Sequence, residues 1–233
     1  MRQLIVVVGL AFEPRIAAGI DTHVVCSGDG CNLAALVARA IVNCRGLVSF
    51  GVAGGLSPGL PAGACVVGSA IVSETTRLMT DQSWSQTVLR AIPHAVHGMI
   101  VGVPAPIVQP AAKHALFLKT GAVAVDMESH IVAGVAASHR LPIVAIRVIT
   151  DPTDHQLPQA AFAVVRPNGT LDIAALIRSV IEQPREIPAL LRTARDAAAA
   201  QVTLLRNRQL LGPSFGLTHS MRQAQSPTKS SLG

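Results

Sequence analysis

Two carboxylates lie one residue apart in the apolar stretch VAVDMESHIVAG, which runs from Val123 to Gly134. They belong to Asp126 and Glu128, on either side of Met127. A buried carboxylate without a partner costs, roughly, several kcal/mol or takes up a proton. An acid that lies near other carboxylates and away from water has a raised pKa, which suits proton donation near neutral pH. The two acids therefore need a cation, a hydrogen-bond donor or a ligand as a partner.

Three further polar or glycine-rich clusters follow predicted strands. Glu13 follows the first strand, the glycine turn Gly51–Gly55 follows the third, and Thr150–Asp151 and Asp154 follow the strand that begins at Pro142. In open α/β sheets, ligands bind beyond the C-terminal ends of the strands, so these positions predict one shared site. The alternative for each acid is a helix cap or a turn, and the alternative for the glycines is a tight turn.

The elements that would position these clusters alternate between strands and helices. Continuous β-branched runs such as Leu4–Leu10 are typical of strands buried on both faces. This alternation predicts an α/β sheet covered on both faces, in a single domain over residues 1–212. The polar residues 213–233 are expected to be disordered. The predicted strands are Leu4–Leu10, Thr22–Cys26, Leu47–Val52, Ala64–Val72, Val123–Val125 and Pro142–Ile149, and the predicted helices are Cys31–Asn43, Ala111–Thr120, a segment ending near His139, Leu171–Ile181 and Pro188–Leu211.

Composition excludes several classes of protein. Half of the 233 residues are hydrophobic and 3% are aromatic, which leaves little material for stacking on bases. The net charge is +6, but residues 166–233 contain nine of the 19 basic side chains and only four of the 13 acidic ones. This distribution does not indicate a nucleic-acid partner. The four cysteines lack CxxC spacing, which favours buried free thiols in a reducing compartment and a cytoplasmic location.

Three weaker patterns are interpreted as structural. The apolar N-terminal run is followed at once by Glu13 and Arg15, which favours a buried strand over a signal peptide. The segment Ser27–Ala34, SGDGCNLA, lacks the third glycine of a dinucleotide fingerprint, so NAD binding is not predicted. His94 and His97 have helical spacing but no third ligand, so no metal site is predicted. The sequence accordingly predicts no cofactor.

The segments VAVDMES and IRVITD, which ends at Asp151, together resemble a known pair of motifs. They are similar to the paired signature of the purine nucleoside phosphorylase and nucleosidase superfamily, most closely the methylthioadenosine/S-adenosylhomocysteine nucleosidases. The order of an early Glu, SGDGCNLAA, a glycine turn, DME and TD also matches, over roughly residues 3–155. VGLAFEPRIAAG and FGVAGGLSPGLPAGA look most like the hopanoid-associated phosphorylase branch. The resemblance implies a three-layer α/β sandwich with a central mixed β-sheet flanked by helices.

The resemblance also implies an activity. It is the cleavage of the adenine–ribose N-glycosidic bond of a 5′-substituted adenosine, with adenosylhopane in hopanoid biosynthesis as the favoured substrate. The alternatives are a soluble purine nucleoside phosphorylase or nucleosidase in salvage, and a non-catalytic protein that binds a nucleoside or a lipid. The nucleophile is water or phosphate, phosphate then acting as a co-substrate. A homo-oligomer is expected, because active sites in this superfamily often include a residue from a neighbouring subunit.

The resemblance assigns roles to particular residues. Asp151 is the general acid that protonates purine N7, and Glu13 activates the attacking water. Glu128 accepts hydrogen bonds from the ribose hydroxyls, Met127 presses on the sugar or purine, and Arg147 neutralises the acidic cluster. The full set of implied substrate-binding residues is Glu128, Met127, Asp126, Arg147, Ala53, Gly54 and Gly55.

The sequence departs from the superfamily pattern in two places. The aromatic residue expected to stack on adenine is missing from Val103–Pro106, so Phe117 or Phe162 would have to replace it. The arginines that hold phosphate in the phosphorylases are not clearly placed, and Arg77 and Arg45 are the candidates.

The last long helical segment, Pro188–Leu211, carries apolar residues at helical spacing beside four arginines. One interpretation is a basic amphipathic helix that contacts the inner face of an anionic membrane, which would suit a lipid substrate. The other is a helix that packs on the sheet and has a solvated basic edge. Both remain open on the sequence alone.

Overall fold

The computed structural model describes residues 3–27, 32–155 and 184–217. The described residues form eight strands and six α-helices, and a 3₁₀ turn at Pro184–Glu186 directly precedes the last helix. The strands are β1 Gln3–Val8, β2 Thr22–Cys26, β3 Cys44–Gly55, β4 Cys65–Val72, β5 Arg77–Met79, β6 Val96–Gly102, β7 Ala124–Asp126 and β8 Ile143–Asp151. The helices are α1 Glu13–Ala17, α2 Leu33–Ala40, α3 Gln82–Ala91, α4 Pro110–Thr120, α5 Ser129–Ser138 and α6 Ile187–Leu211.

The strands form one mixed sheet, as the resemblance implies. Strand β3 pairs in parallel with β1 and β8, and β4 pairs in parallel with β6 but antiparallel to β8. Because β7 pairs with both β6 and the end of β3, the strands β3, β8, β4, β6 and β7 close into a ring. The ring brings the C-terminal ends of β3, β7 and β8 to one place.

Alternation along β1 shows how the sheet becomes covered on both faces. Leu4 and Val6 point into a cluster that also contains Trp84 of α3. Ile5 and Val7 point into the opposite cluster, together with Val132 of α5. Successive side chains of a strand face opposite sides, so an uninterrupted apolar run requires helices on each face. The predicted three-layer α/β arrangement is confirmed.

Most predicted elements are present, but four were missed and some bounds were wrong. The prediction omitted α1, β5, α3 and β6, and it began β3 three residues too late and ended it three residues too early. Helix α3 has the polar sequence QSWSQTVLRA and is nucleated by a cap, in which the Asp81 side chain accepts a hydrogen bond from Trp84 N. The predicted helix Leu171–Ile181 lies outside the described residues.

The packed domain continues past its predicted boundary at residue 212. Phe215 is fully buried, and Leu217 is also buried. The Phe215 ring packs edge-on against Phe50 at 5.3 Å between centroids, and Trp84 Nε1 donates to the Phe215 carbonyl at 2.7 Å. The predicted boundary is therefore too early, while residues 218–233 lie outside the described part of the chain.

Two further predictions concern the cysteines and the membrane. Cys44 and Cys65 are buried free thiols, Cys26 is a half-buried one, and Cys31 lies outside the described residues. Burial raises the pKa of the Cys65 thiol to about 12. Over residues 3–27, 32–155 and 184–217, no helix combines the length and the apolar character needed to span a bilayer.

Candidate functional site

The predicted clusters meet at the C-terminal ends of the sheet strands. Glu13 opens α1, which follows the loop after β1, and Asp126 and Asp151 are the last residues of β7 and β8. The segment Gly51–Gly55, predicted as a turn, is the end of strand β3, and Gly51 within it has a φ of 152°, which residues other than glycine rarely adopt. Glu128 stands directly before α5. The ring of strands thus collects residues that lie far apart in the chain.

Glu13 is buried and anchored by backbone donors. Its Oε2 accepts hydrogen bonds from Gly9 N at 2.7 Å and Leu10 N at 2.8 Å, and its Oε1 accepts one from Val52 N at 2.8 Å. Burial raises the pKa of Glu13, although these N–H groups and Arg147 oppose that effect. A raised pKa makes this carboxyl group a better proton acceptor than an exposed glutamate, which is the property a general base needs.

Glycine is required beside Glu13 for reasons of space. A Cβ at Gly51 would lie 2.5 Å from Glu13 Oε1 and 2.9 Å from Arg147 Nη1. The strand backbone can therefore approach both charged groups only without a side chain at this position.

Arg147 is the central cation of an acidic cluster. Its Nε lies 2.6 Å from Asp126 Oδ2, and its Nη2 lies 3.5 Å from Glu128 Oε2. Burial lowers the pKa of Arg147, but the carboxylates of Asp126, Glu128 and Glu13 outweigh burial and raise it overall. One guanidinium therefore lies among three carboxylates, of which those of Asp126 and Glu13 are buried and that of Glu128 is partly exposed.

Two serines that the sequence did not single out complete the environment of Arg147. Its Nη2 donates to Ser49 Oγ at 2.6 Å and to Ser129 Oγ at 3.2 Å, and the two hydroxyls lie 2.9 Å apart. Ser129 also donates its backbone N–H to Asp126 Oδ1 at 3.2 Å and its hydroxyl to Asp126 Oδ2. The available signals were that Ser129 directly follows Glu128 and that Ser49 is a polar residue between the apolar Val48 and Phe50.

Asp126 and Glu128 face different surroundings. The Asp126 side chain is 1% exposed, and its described partners are Arg147 and Ser129, both within the protein. The Glu128 side chain is 15% exposed and accepts a hydrogen bond from Ser27 Oγ at 3.5 Å, while Met127 is 41% exposed. Of the three predicted contacts, Glu128 and Met127 are therefore the accessible ones.

The Glu128 carboxyl is only partly compensated. Burial raises its pKa from 4.5 to about 7, and the charges of Asp126 and Glu13 add to the increase, while Arg147 and Ser27 oppose it. Gly9 leaves space for this carboxyl, since a Cβ at Gly9 would lie 2.7 Å from Glu128 Oε1.

Asp151 is bound by a lysine that the sequence did not reveal. Lys113 Nζ of α4 lies 2.6 Å from Asp151 Oδ2, and Thr150 Oγ1 donates to Asp151 Oδ1 at 3.2 Å. Burial raises the pKa of Asp151, with Lys113 as the main opposing influence. The available signal was the helical spacing that places Lys113 on the same face as Leu116 and Phe117, which are half-buried.

The end of β3 links the two predicted catalytic residues. Val52 donates its N–H to Glu13 and its carbonyl accepts from Arg147 Nη1 at 3.4 Å, while the Ala53 carbonyl accepts from Thr150 Oγ1 at 3.4 Å. A Cβ at Gly54 would lie 3.2 Å from both carboxylate oxygens of Asp151. Positions 52 and 54 of a strand are about 7 Å apart, so the two acids lie beside separate positions at the end of β3.

Several predicted contributors lie elsewhere. Arg45 stands at the opposite end of β3, where its Nη2 is 3.9 Å from Asp21 Oδ2, and Arg77 is exposed on β5. Phe117 packs in a small apolar cluster with Val101 and Val125, and Phe162 lies outside the described residues. Neither arginine is placed to hold phosphate at the acidic cluster. Among the described residues, no three His, Cys, Asp or Glu side chains are grouped so as to hold a metal ion.

Comparisons with known proteins agree with this architecture. A sequence profile of the phosphorylase superfamily matches residues 15–182. Futalosine hydrolase of Helicobacter pylori superposes with a TM-score of 0.58 at 16% identity, covering 97% of this chain and 99% of that one. The methylthioadenosine/S-adenosylhomocysteine nucleosidase of Neisseria meningitidis, in complex with methylthio-immucillin-A, gives 0.58 at 18% identity over 89% and 99%. The corresponding enzyme of Colwellia psychrerythraea, in complex with adenine, gives 0.57 at 16% over 89% and 96%.

These structural likenesses show a shared fold. Comparison with curated protein sequences gave no match.

Proposed function

This chain belongs to the phosphorylase superfamily, and on that basis we propose that it cleaves the adenine–ribose N-glycosidic bond of a 5′-substituted adenosine. The observation that carries the proposal is the convergence of Glu13, Glu128 and Asp151 at one end of the sheet, each in a different electrostatic environment. Enzymes that break glycosidic bonds use carboxyl groups whose environments separate their roles as acid, base and ligand.

Asp151 is the general acid in this proposal. As the bond between C1′ and purine N9 breaks, its electron pair moves into the purine, and Asp151 donates a proton to N7. Glu13 accepts a proton from the water that attacks C1′, and Glu128 accepts hydrogen bonds from the ribose hydroxyls. The accessible Met127 beside Glu128 provides an adaptable apolar contact for the sugar or the purine.

Water is favoured over phosphate as the nucleophile. The described site contains four carboxylates, and its two buried cations, Arg147 and Lys113, already pair with carboxylates. A phosphate dianion would enter an environment with an excess of negative charge, whereas a neutral water would not. Phosphorolysis is the second candidate, because the superfamily includes phosphorylases.

The favoured substrate remains adenosylhopane, with small soluble nucleosides as the alternative. Its support is the resemblance of the two glycine-rich segments, together with the outward face of α6. Leu191 and Val202 are each 66% exposed there, and Arg195 and Arg206 are exposed on the same helix. The inward face of α6, including Leu204, packs on the core, so the helix fits both interpretations of its sequence. We also propose a homo-oligomer, which light scattering would test.

Adenine release tests the activity directly. Purified protein is mixed with adenosylhopane in detergent, methylthioadenosine or adenosine, each with and without phosphate, and the products are separated by chromatography. Release from the lipid alone supports the hopanoid substrate, release mainly from the small nucleosides supports salvage, and a requirement for phosphate identifies phosphorolysis. No release from any of the three contradicts the proposal.

Asp151→Asn tests the assigned acid. Because a positioned general acid contributes typically about 100- to 10,000-fold, we expect turnover to fall by that factor while the fold is kept. The matched control is Glu74→Gln, which removes an exposed carboxylate between β4 and β5 and should leave turnover unchanged. Near-wild-type activity of the Asp151 variant would assign the proton donor elsewhere.

A further inference from the structure

Lys113 is fully buried, although lysine is among the residues that are almost never buried without a partner. Its ammonium group lies 2.6 Å from Asp151 Oδ2 and donates to the carbonyl oxygens of Asp151 at 3.1 Å and Pro152 at 3.0 Å. The His155 carbonyl oxygen lies 3.5 Å from the same Nζ atom. A carboxylate and two carbonyls match the three protons of an ammonium group, so the charged form of Lys113 is fully satisfied.

We propose that Lys113 is a positioning residue for the reaction, which holds Asp151 by Oδ2 and leaves Oδ1 as the oxygen that carries the proton to the purine. This inference rests on the proposed function of Asp151. The ammonium donates all its protons, so Oδ2 is already an acceptor and cannot readily carry a proton. Among the residues that the structure describes, the partner of Oδ1 is the Thr150 hydroxyl, at 3.2 Å.

Thr150 can accommodate both protonation states of Oδ1. Its hydroxyl also lies 3.4 Å from the Ala53 carbonyl, so it has two acceptors within reach. When Asp151 is ionised, the hydroxyl donates to Oδ1. When Oδ1 carries a proton, the hydroxyl turns to the Ala53 carbonyl and leaves that proton free to move to N7.

Lys113 also sets how readily the proton leaves. When Oδ1 gives its proton to N7 and the purine takes the electron pair of the broken bond, Asp151 becomes a carboxylate beside a fixed cation. A proton from solvent restores the acid after the purine departs. Within residues 32–155 and 184–217, the charged or titratable groups that face Asp151 are Lys113 from α4 and His155 from the loop after β8. His155 Nδ1 is itself paired with Asp196 Oδ2 of α6 at 2.9 Å. Burial raises the pKa of Asp151, and the Lys113 cation counteracts this increase.

Lys113→Gln is the test, because it keeps N–H donors but removes the charge. Loss of an opposite charge at this distance is expected to raise the pKa of Asp151 by about 1–3 units. Activity requires a protonated Asp151, so the alkaline limb of the kcat and kcat/KM profiles should move to higher pH by about that amount. Lys119→Gln, which changes an exposed lysine of the same helix, is the control and should leave the profile unchanged. A lower kcat with an unmoved alkaline limb would assign Lys113 a structural role and overturn the proposal.

A second measurement separates this inference from the proposed function. The carboxyl carbon of Asp151 is titrated by ¹³C NMR in the wild type and Lys113→Gln, with Asp151→Asn used to assign the signal. If the wild type releases no adenine, the proposed function is refuted. The titration still tests the contact between Lys113 and Asp151, because an equal pKa of Asp151 in both proteins would refute that contact. If Lys113→Gln does not fold, recovery of folding in Lys113→Gln/Asp151→Asn supports the pairing, and continued failure to fold overturns the positioning role.

Discussion

Glu128→Gln should make the protein more stable at alkaline pH while it weakens ribose binding. The substitution keeps the shape of the side chain and removes a carboxyl that is buried beside two other carboxylates and only partly compensated by Arg147 at 3.5 Å. Substituting a group that is placed for ligand binding commonly raises stability and lowers function.

The magnitude follows from the pKa of Glu128, which burial raises from 4.5 to about 7. Below pH 4.5 the folded and unfolded states both carry the proton, and Glu128 has no linkage effect. Between pH 4.5 and about 7 the folded state binds more protons, so the wild type loses stability as the pH rises. Above pH 7 the loss is complete, at about 3 kcal/mol for a shift of this size. The glutamine variant escapes this loss.

Urea unfolding of both proteins at several pH values from 4 to 9 measures the effect. The difference in unfolding free energy should rise between pH 4.5 and 7 and stay level above it. Glu74→Gln, which changes an exposed carboxylate, is the matched control and should give a difference that does not vary with pH. A pH-independent difference for Glu128→Gln as well would refute the electrostatic account of the cluster.

Two other predictions concern the strand turn and the last helix. Gly51→Ala should cost about 1–3 kcal/mol of unfolding free energy and most of the activity, because its methyl group would meet Glu13 at 2.5 Å. A Cβ at Gly134 would have no neighbouring atom within 4 Å, so Gly134→Ala is the control and should not lower the free energy of unfolding in urea. If α6 contacts lipid, the wild type should float with anionic but not neutral liposomes at low salt, and Arg195→Glu/Arg206→Glu should abolish this, whereas binding to neither kind of liposome would exclude a membrane role.

The core of the fold could be predicted from the sequence because its strands are buried on both faces. β1, β3 and β8 are predominantly apolar, and such runs are typical of strands that are buried on both faces of an α/β sheet. The sequence also indicated that Asp126 and Asp151 lie at strand ends and that Glu13 follows β1, and the C-terminal ends of neighbouring strands share an edge.

The elements that were missed depend on contacts distant in sequence. Strand β6 begins VHG, with two exposed residues and a glycine, and it is defined by pairing with β4 and β7 rather than by its own pattern. Phe215 lies in a stretch of turn residues. It becomes part of the core because its ring packs against Phe50 and its carbonyl accepts a hydrogen bond from Trp84 Nε1. Local propensity and periodicity contain no information about such partners.

The same limit applies to charge compensation in the site. The DME motif places two acids one residue apart, but only the structure distinguishes them. Asp126 lies 2.6 Å from Arg147 and is also hydrogen-bonded by Ser129, so it secures the guanidinium. Glu128 lies farther from the same guanidinium, at 3.5 Å, and its side chain is partly exposed to solvent. Glu128 is therefore the acid that can still accept hydrogen bonds from a ligand. Asp151, beside Gly54 at the end of β3, pairs with a separate cation, Lys113. Two buried cations are thus divided unequally among four carboxyl groups, so the acids differ in their electrostatic surroundings, and a site that must both donate and accept protons requires such differences.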